Sequence, residues 1–123
     1  NSSAASDVYK RQEETWGKRA HWCDYSGQVG GETVGIAVFD SPSNLRHPTY
    51  WHVRDYGLMA ANPFGLSHFV DENADGSYVL PEGGRLRFRY RIYIHAGDAQ
   101  QGRVRDKYLE WAFPPSASVQ GEP

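Results

Sequence analysis

Arg85-Leu86-Arg87-Phe88-Arg89-Tyr90-Arg91-Ile92-Tyr93-Ile94-His95 is the stretch that decides how this chain of 123 residues folds. Apolar and polar side chains alternate along it, and a period of two is the period of an extended strand. Leu86, Phe88, Tyr90, Ile92 and Ile94 are expected on a buried face, with Arg85, Arg87, Arg89, Arg91, Tyr93 and His95 on a wet or ligand-facing one. The arginine ladder has a polyanion-binding reading. The plainer and preferred reading pairs the guanidiniums with acidic neighbours on a solvated sheet.

The same period runs upstream. Residues 20–25 read as a short strand, followed by Ser26-Gly27 and Gly30-Gly31 as a hairpin-like turn. Residues 33–40 alternate Val34, Ile36 and Val38 against Thr33, Gly35 and Ala37, and Ser41-Pro42-Ser43-Asn44 breaks the run. Residues 49–54 and 56–61 are extended, stopped by Asn62-Pro63, because a residue before proline disfavours helix. One helix is expected from Asp98 to about Phe113. Asp98 and Gln101 fit a capping box, Val104, Tyr108, Trp111 and Ala112 share a face, and Pro114-Pro115 ends it. Strands in series before one helix, without βαβ alternation, predict a mainly β fold: a partial antiparallel β-sandwich with one C-terminal helix. Residues 13–113 would form that domain. Residues 1–12 read as a non-native or disordered leader and residues 114–123 as a flexible tail.

Composition narrows the function classes. A chain that is 39% hydrophobic and 23% charged is globular, and its net charge of −2 gives no basic field for nucleic acid. No uninterrupted apolar run of about 18 residues occurs, so a membrane span is not expected. A lone cysteine, Cys23, excludes an internal disulfide framework and reads as an inert buried thiol. Localisation stays open: a periplasmic or extracellular setting is compatible, with no export signal in the chain.

The densest chemical cluster is residues 46–56. If residues 50–56 are extended, Tyr50, His52, Arg54 and Tyr56 point to one side. Imidazole, guanidinium and phenols suit a hydroxyl-rich or carboxylate ligand, and histidine is the side chain best placed to move a proton near neutral pH. A structural network that satisfies buried carbonyls is the bland alternative. Asp24, before a turn, is either a carboxylate at a site edge or a turn initiator. His47 and His52 fall on opposite strand faces and do not make a ready chelate, although histidines from several strands could assemble a metal site. Asp71, Asn73, Asp75, Gly76 and Glu82 match a calcium-loop pattern. Pro81 and the strand that follows are the wrong context, so a plain loop is preferred and no cofactor is expected.

Several runs resemble a bacterial family of uncertain function bearing the name methane oxygenase PmoA. They are Trp22-Cys23-Asp24-Tyr25-Ser26-Gly27, residues 33–40, His47-Pro48-Thr49, Trp51-His52-Val53-Arg54, Tyr56-Gly57-Leu58, Ala61-Asn62-Pro63-Phe64-Gly65 and Ser77-Tyr78-Val79-Leu80-Pro81. The similarity covers roughly residues 16–112. The resemblance implies a β-sandwich like those of sugar-handling enzymes, of which this chain would be the C-terminal half, so the missing N-terminal half is an implied partner. Such a half-sandwich would leave open sheet edges and a partly exposed apolar face.

The combined expectation is a soluble β-sandwich fragment that acts on, or binds, a carbohydrate-like small molecule or glycan. His52 or His47 is the acid–base candidate; Tyr50, Trp51, Arg54, Tyr56, Asn62 and Asp24 are the ligand-binding candidates. Whether it is an enzyme stays open. A carbohydrate-active hydrolase leads, a non-catalytic binding module is the rival, and a metal-dependent oxygenase comes last.

Overall fold

A computed structural model describes residues 19–66 and 71–115. The leader read at residues 1–12 and all but the start of the tail lie outside the described residues. Among the described residues six strands and a helix follow in order: β1 (Arg19–Ala20), β2 (Trp22–Val29), β3 (Glu32–Asp40), β4 (Thr49–Arg54), β5 (Leu58–Ala61), β6 (Tyr90–Ala96) and α1 (Val104–Ala112). They make two antiparallel three-stranded sheets, ordered β1-β4-β5 and β2-β3-β6. The fold is therefore mainly β with one short C-terminal helix, as the period-two pattern requires.

Both hairpins follow from their turn residues. Val29 pairs with Glu32 across Gly30-Gly31, whose φ angles of 63° and 85° give the two left-handed residues that a two-residue turn needs. Ser26-Gly27 lies inside β2 rather than ending it, so this hairpin is longer than the sequence suggested. Arg54 pairs with Leu58 across Asp55, Tyr56 and Gly57, with Gly57 at φ 99°.

The two faces of the β2-β3-β6 sheet meet different partners. On one, Cys23 and Val38 pack against Trp51, Val53, Met59 and Ala61 of the β1-β4-β5 sheet. On the other, Ala37 and Phe39 pack under Val104 and Tyr108 of α1, with Trp22, Tyr93 and Trp111 around them. Each large side chain buried in these clusters contributes about 1.5–3 kcal/mol.

The stretch that promised one long strand is divided. Only residues 90–96 pair, along β3, and the two faces are reversed from expectation. Ile92 and Ile94 are 68% and 74% exposed, whereas His95 is buried and Tyr93 packs under the helix. The cause is coverage: the apolar cluster between the sheets draws on β2 and β3 but takes no residue from β6. Helix α1 also begins late. Asp98 and Gln101 exchange capping-box hydrogen bonds, Gln101 N–H to Oδ1 at 2.8 Å and Asp98 N–H to Oε1 at 3.0 Å. That box closes a turn, after which Arg103 adopts φ 55° and the regular helix starts.

Candidate functional site

The end of β3 places a carboxylate in the interior. Asp40 is fully buried, a position a charged group tolerates only with several donors. Asn44 Nδ2 donates to its Oδ1 at 2.7 Å, while His47 Nδ1 (2.6 Å) and the Thr49 N–H (3.2 Å) donate to its Oδ2. Asn44 is itself fixed by exchanging hydrogen bonds with the backbone of Arg89 at 2.7 and 2.8 Å. The loop between β3 and β4 is thus wound around Asp40.

Arg46 sets the direction in which His47 enters this pocket. Its φ of 60° is a left-handed conformation that costs a non-glycine residue about 1–3 kcal/mol. Its guanidinium offsets that cost by donating to the carbonyls of Pro63, Gly76 and Ser77 at 2.8–3.0 Å. On the other side, Arg19 donates to the carbonyls of His47 and Pro48 at 3.2 and 2.9 Å.

With Nδ1–H of His47 committed to Asp40, its Nε2 faces two further groups. His21 Nδ1 stands 3.1 Å away and the Tyr108 hydroxyl 3.5 Å away; that hydroxyl is 3.4 Å from His21 Nδ1. Tyr108 donates its proton to the Asp40 carbonyl at 3.0 Å, and burial, with the nearby Asp40 charge second, pushes its phenol up to about 12. His21 is exposed and is tied to the site by its own carbonyl, which accepts the Asp40 N–H at 2.9 Å. A line of groups therefore runs from a buried carboxylate through a mostly buried imidazole to an imidazole at the surface. Carboxylate–imidazole geometry of this kind orients a base and balances the positive charge it acquires.

Of the residues singled out from sequence, His47 alone belongs to this line. Tyr50, His52 and Arg54 do share the half-exposed face of β4, with the Arg19 guanidinium 5.7 Å over the Tyr50 ring. Tyr56 does not continue that face: it sits in the hairpin turn, 77% exposed, because β4 ends at Arg54. Trp51 points into the core at 1% exposure and donates to the Ala20 carbonyl, so it is not presented to a ligand. Asn62 caps the end of β5, its Oδ1 accepting the Phe64 N–H at 3.1 Å. Asp24 faces α1 and holds His95 Nε2 at 2.5 Å.

In the calcium-like stretch, Asp71 and Asp75 accept the N–H groups of Asn73 and Ser77 at 2.8 and 2.9 Å, the geometry of Asx turns. Among the described residues no three His, Cys, Asp or Glu side chains converge as a metal-binding group. The expected ion pairs of the arginine ladder do not form either: Arg85, Arg87, Arg89 and Arg91 meet no carboxylate among the described residues. Arg89 lies 6.0 Å over the Trp111 ring, and Arg91 lines a groove of about 440 Å³ with Phe39, Tyr93, Lys107, Glu110 and Trp111.

Sequence reasoning missed Asp40, His21 and Tyr108. Asp40 looked like the polar end of a strand, His21 stood alone, and Tyr108 was assigned to the helix core, which it joins with its ring while its hydroxyl serves the site. The signal available was Asp40 at a strand end seven residues before His47, although only the fold says that the loop turns back.

Among the described residues no helix is long and apolar enough to cross a membrane. No curated protein and no solved structure matches the chain. The resemblance to the PmoA-like family is corrected by the family comparison, which returns a different description and nothing related to methane oxygenase. Residues 2–109 match the model of a family of unknown function, DUF6807, and the chain belongs to that family.

Proposed function

We propose that this chain acts on or binds a hydroxyl-rich, carbohydrate-like small molecule, with His21 as the acid–base group in contact with it. The observation that carries the reading is the Asp40–His47–His21 line, with contacts of 2.6 and 3.1 Å. In the neutral state His47 Nδ1–H donates to Asp40 and His21 Nδ1–H donates to His47 Nε2. The basic atom is then Nε2 of His21, on the side of the ring away from the relay. A proton taken there from a ligand hydroxyl or a water is matched by transfer of the Nδ1 proton to His47. The resulting imidazolium is balanced by Asp40. Asp40 is too deeply buried to touch a substrate, so it positions and neutralises.

A second reading, binding without turnover, is favoured by the β4 face, where Tyr50, His52 and Arg54 offer a ring and hydrogen-bonding groups. Incubation of the full chain with a panel of neutral oligosaccharides separates the two. Reducing-end release that falls about 10²–10⁴-fold in His21→Ala supports the acid–base reading. Binding without release, kept in His21→Ala and lost in Tyr50→Ala, supports the binding module. Neither binding nor release across the panel would sink both.

A further inference from the structure

We infer that His21 Nδ1 and His47 Nε2, with the Tyr108 hydroxyl oxygen as third corner, form a binding site for a divalent first-row transition metal ion. The inference rests on the same site as the reading above, but not on its chemistry. The three atoms form a triangle with sides of 3.1, 3.4 and 3.5 Å. Donor atoms on a tetrahedral metal with bonds of about 2.1 Å stand about 3.4 Å apart. The triangle is thus already near the size that such an ion imposes, and little side-chain movement separates the hydrogen-bonded state from the ligated one.

Three further features fit a metal centre. The two imidazoles meet edge to face, with centroids 4.9 Å apart and an interplanar angle of 72°, so the rings do not stack past one another and the two facing nitrogens stay 3.1 Å apart. Imidazole suits zinc and copper, and a phenol oxygen is an acceptable weaker donor. The non-ligating nitrogen of His47 already donates to a buried carboxylate at 2.6 Å, the arrangement that fixes tautomer and raises ligand basicity in carboxylate–histidine–metal sites. Asp40 makes that arrangement robust because Asn44 and the Thr49 N–H hold it in place. The ion displaces only the proton shared between the two imidazoles. His21 shifts its proton from Nδ1 to Nε2, so two neutral imidazoles bind with no net proton release. His21 is exposed, which gives entry, and positions not taken by protein are left to water.

The test is a titration of the full, tag-free chain with Zn²⁺ alone, followed by calorimetry, and with Cu²⁺, followed by electron paramagnetic resonance. A single tight site is expected, with the Cu²⁺ spectrum showing coupling to two imidazole nitrogens. His21→Ala, a surface substitution that leaves the fold intact, reduces Zn²⁺ binding to a non-specific level, and His47→Ala does the same. Asp40→Asn weakens it about 10–100-fold, Tyr108→Phe weakens it only a few-fold, and His52→Ala leaves it unchanged. Zn²⁺ affinity that survives His21→Ala overturns the inference, as does a loss produced by His52→Ala alone. Because no organic ligand is present, failure here leaves the acid–base reading intact, and failure of oligosaccharide binding leaves the metal titration intact.

Discussion

Two carboxylate–imidazole pairs of almost equal length face the same helix, and only one of them leads anywhere. Asp24 meets His95 at 2.5 Å and Asp40 meets His47 at 2.6 Å. The difference lies in the second nitrogen of each ring. His95 Nδ1 turns back to the carbonyl of its own neighbour Ala96 at 3.2 Å, and its ring is closed in between Gly35 and Gly102. His47 Nε2 continues to His21 and the surface. A short contact to a carboxylate is therefore no mark of a functional histidine. The path from the other nitrogen to solvent is what separates a tie from a relay.

The Asp24–His95 pair should behave as a structural tie, and the largest effect is expected there. His95 reaches Asp24 by crossing strand β3 over Gly35, where a Cβ would stand 2.5 Å from His95 Cε1. Asp24→Ala leaves the buried His95 Nε2 without its carboxylate partner and should cost about 3 kcal/mol in denaturant unfolding. Gly35→Ala should follow at about 1–3 kcal/mol through overpacking. Neither should change Zn²⁺ affinity at His21 and His47. An Asp24→Ala chain as stable as the parent would break the comparison by showing that the closed pair ties nothing.

Legibility follows the same division. The period of two and the Gly-Gly and proline punctuation located the β2–β3 hairpin, β4 and the last helix, because turn chemistry and side-chain alternation act over a few residues. The faces of β6 were inverted because alternation says that two faces differ, not which one the second sheet covers. Ile92 and Ile94 lie beyond the edge of that coverage, and Tyr93 and His95 take the shelter of the helix instead. His47 was legible as a candidate because it lies in the dense polar–aromatic cluster of residues 46–56. Its partners were not, since Asp40, His21 and Tyr108 lie 7, 26 and 61 positions away and meet only through tertiary packing.

A middle-sized effect sharpens the distinction between holding and touching within the open line. Asp40→Asn places an amide where three donors converge, and at least one must lose its acceptor. The cost should be about 1–3 kcal/mol. His21→Ala removes a surface side chain and should change stability by no more than about 0.5 kcal/mol. Both should impair binding at the site. If His21→Ala destabilised the chain as much as Asp40→Asn, the surface imidazole would be part of the scaffold and the relay would have no outer end.

The smallest effect concerns Tyr108, which joins the core cluster to the open line. Burial, and then the charge of Asp40, raises its phenol from 10.0 to about 12, so the folded state prefers the neutral hydroxyl. A raised folded-state value means that this contribution to stability is complete below pH 10 and is lost as pH climbs from 10 toward 12. Tyr108→Phe forfeits the 3.0 Å hydrogen bond to the Asp40 carbonyl, about 1 kcal/mol, but has no phenol to ionise. Tyr90 is also raised, by burial and by Asp40, and is common to both proteins, so it cancels from the difference. Unfolding free energies measured from pH 8 to 12 should show the parent ahead by a constant margin up to pH 10. The margin should then shrink as Tyr108 ionises. A margin that stays flat to pH 12 would mean that the hydroxyl is not held neutral by the fold.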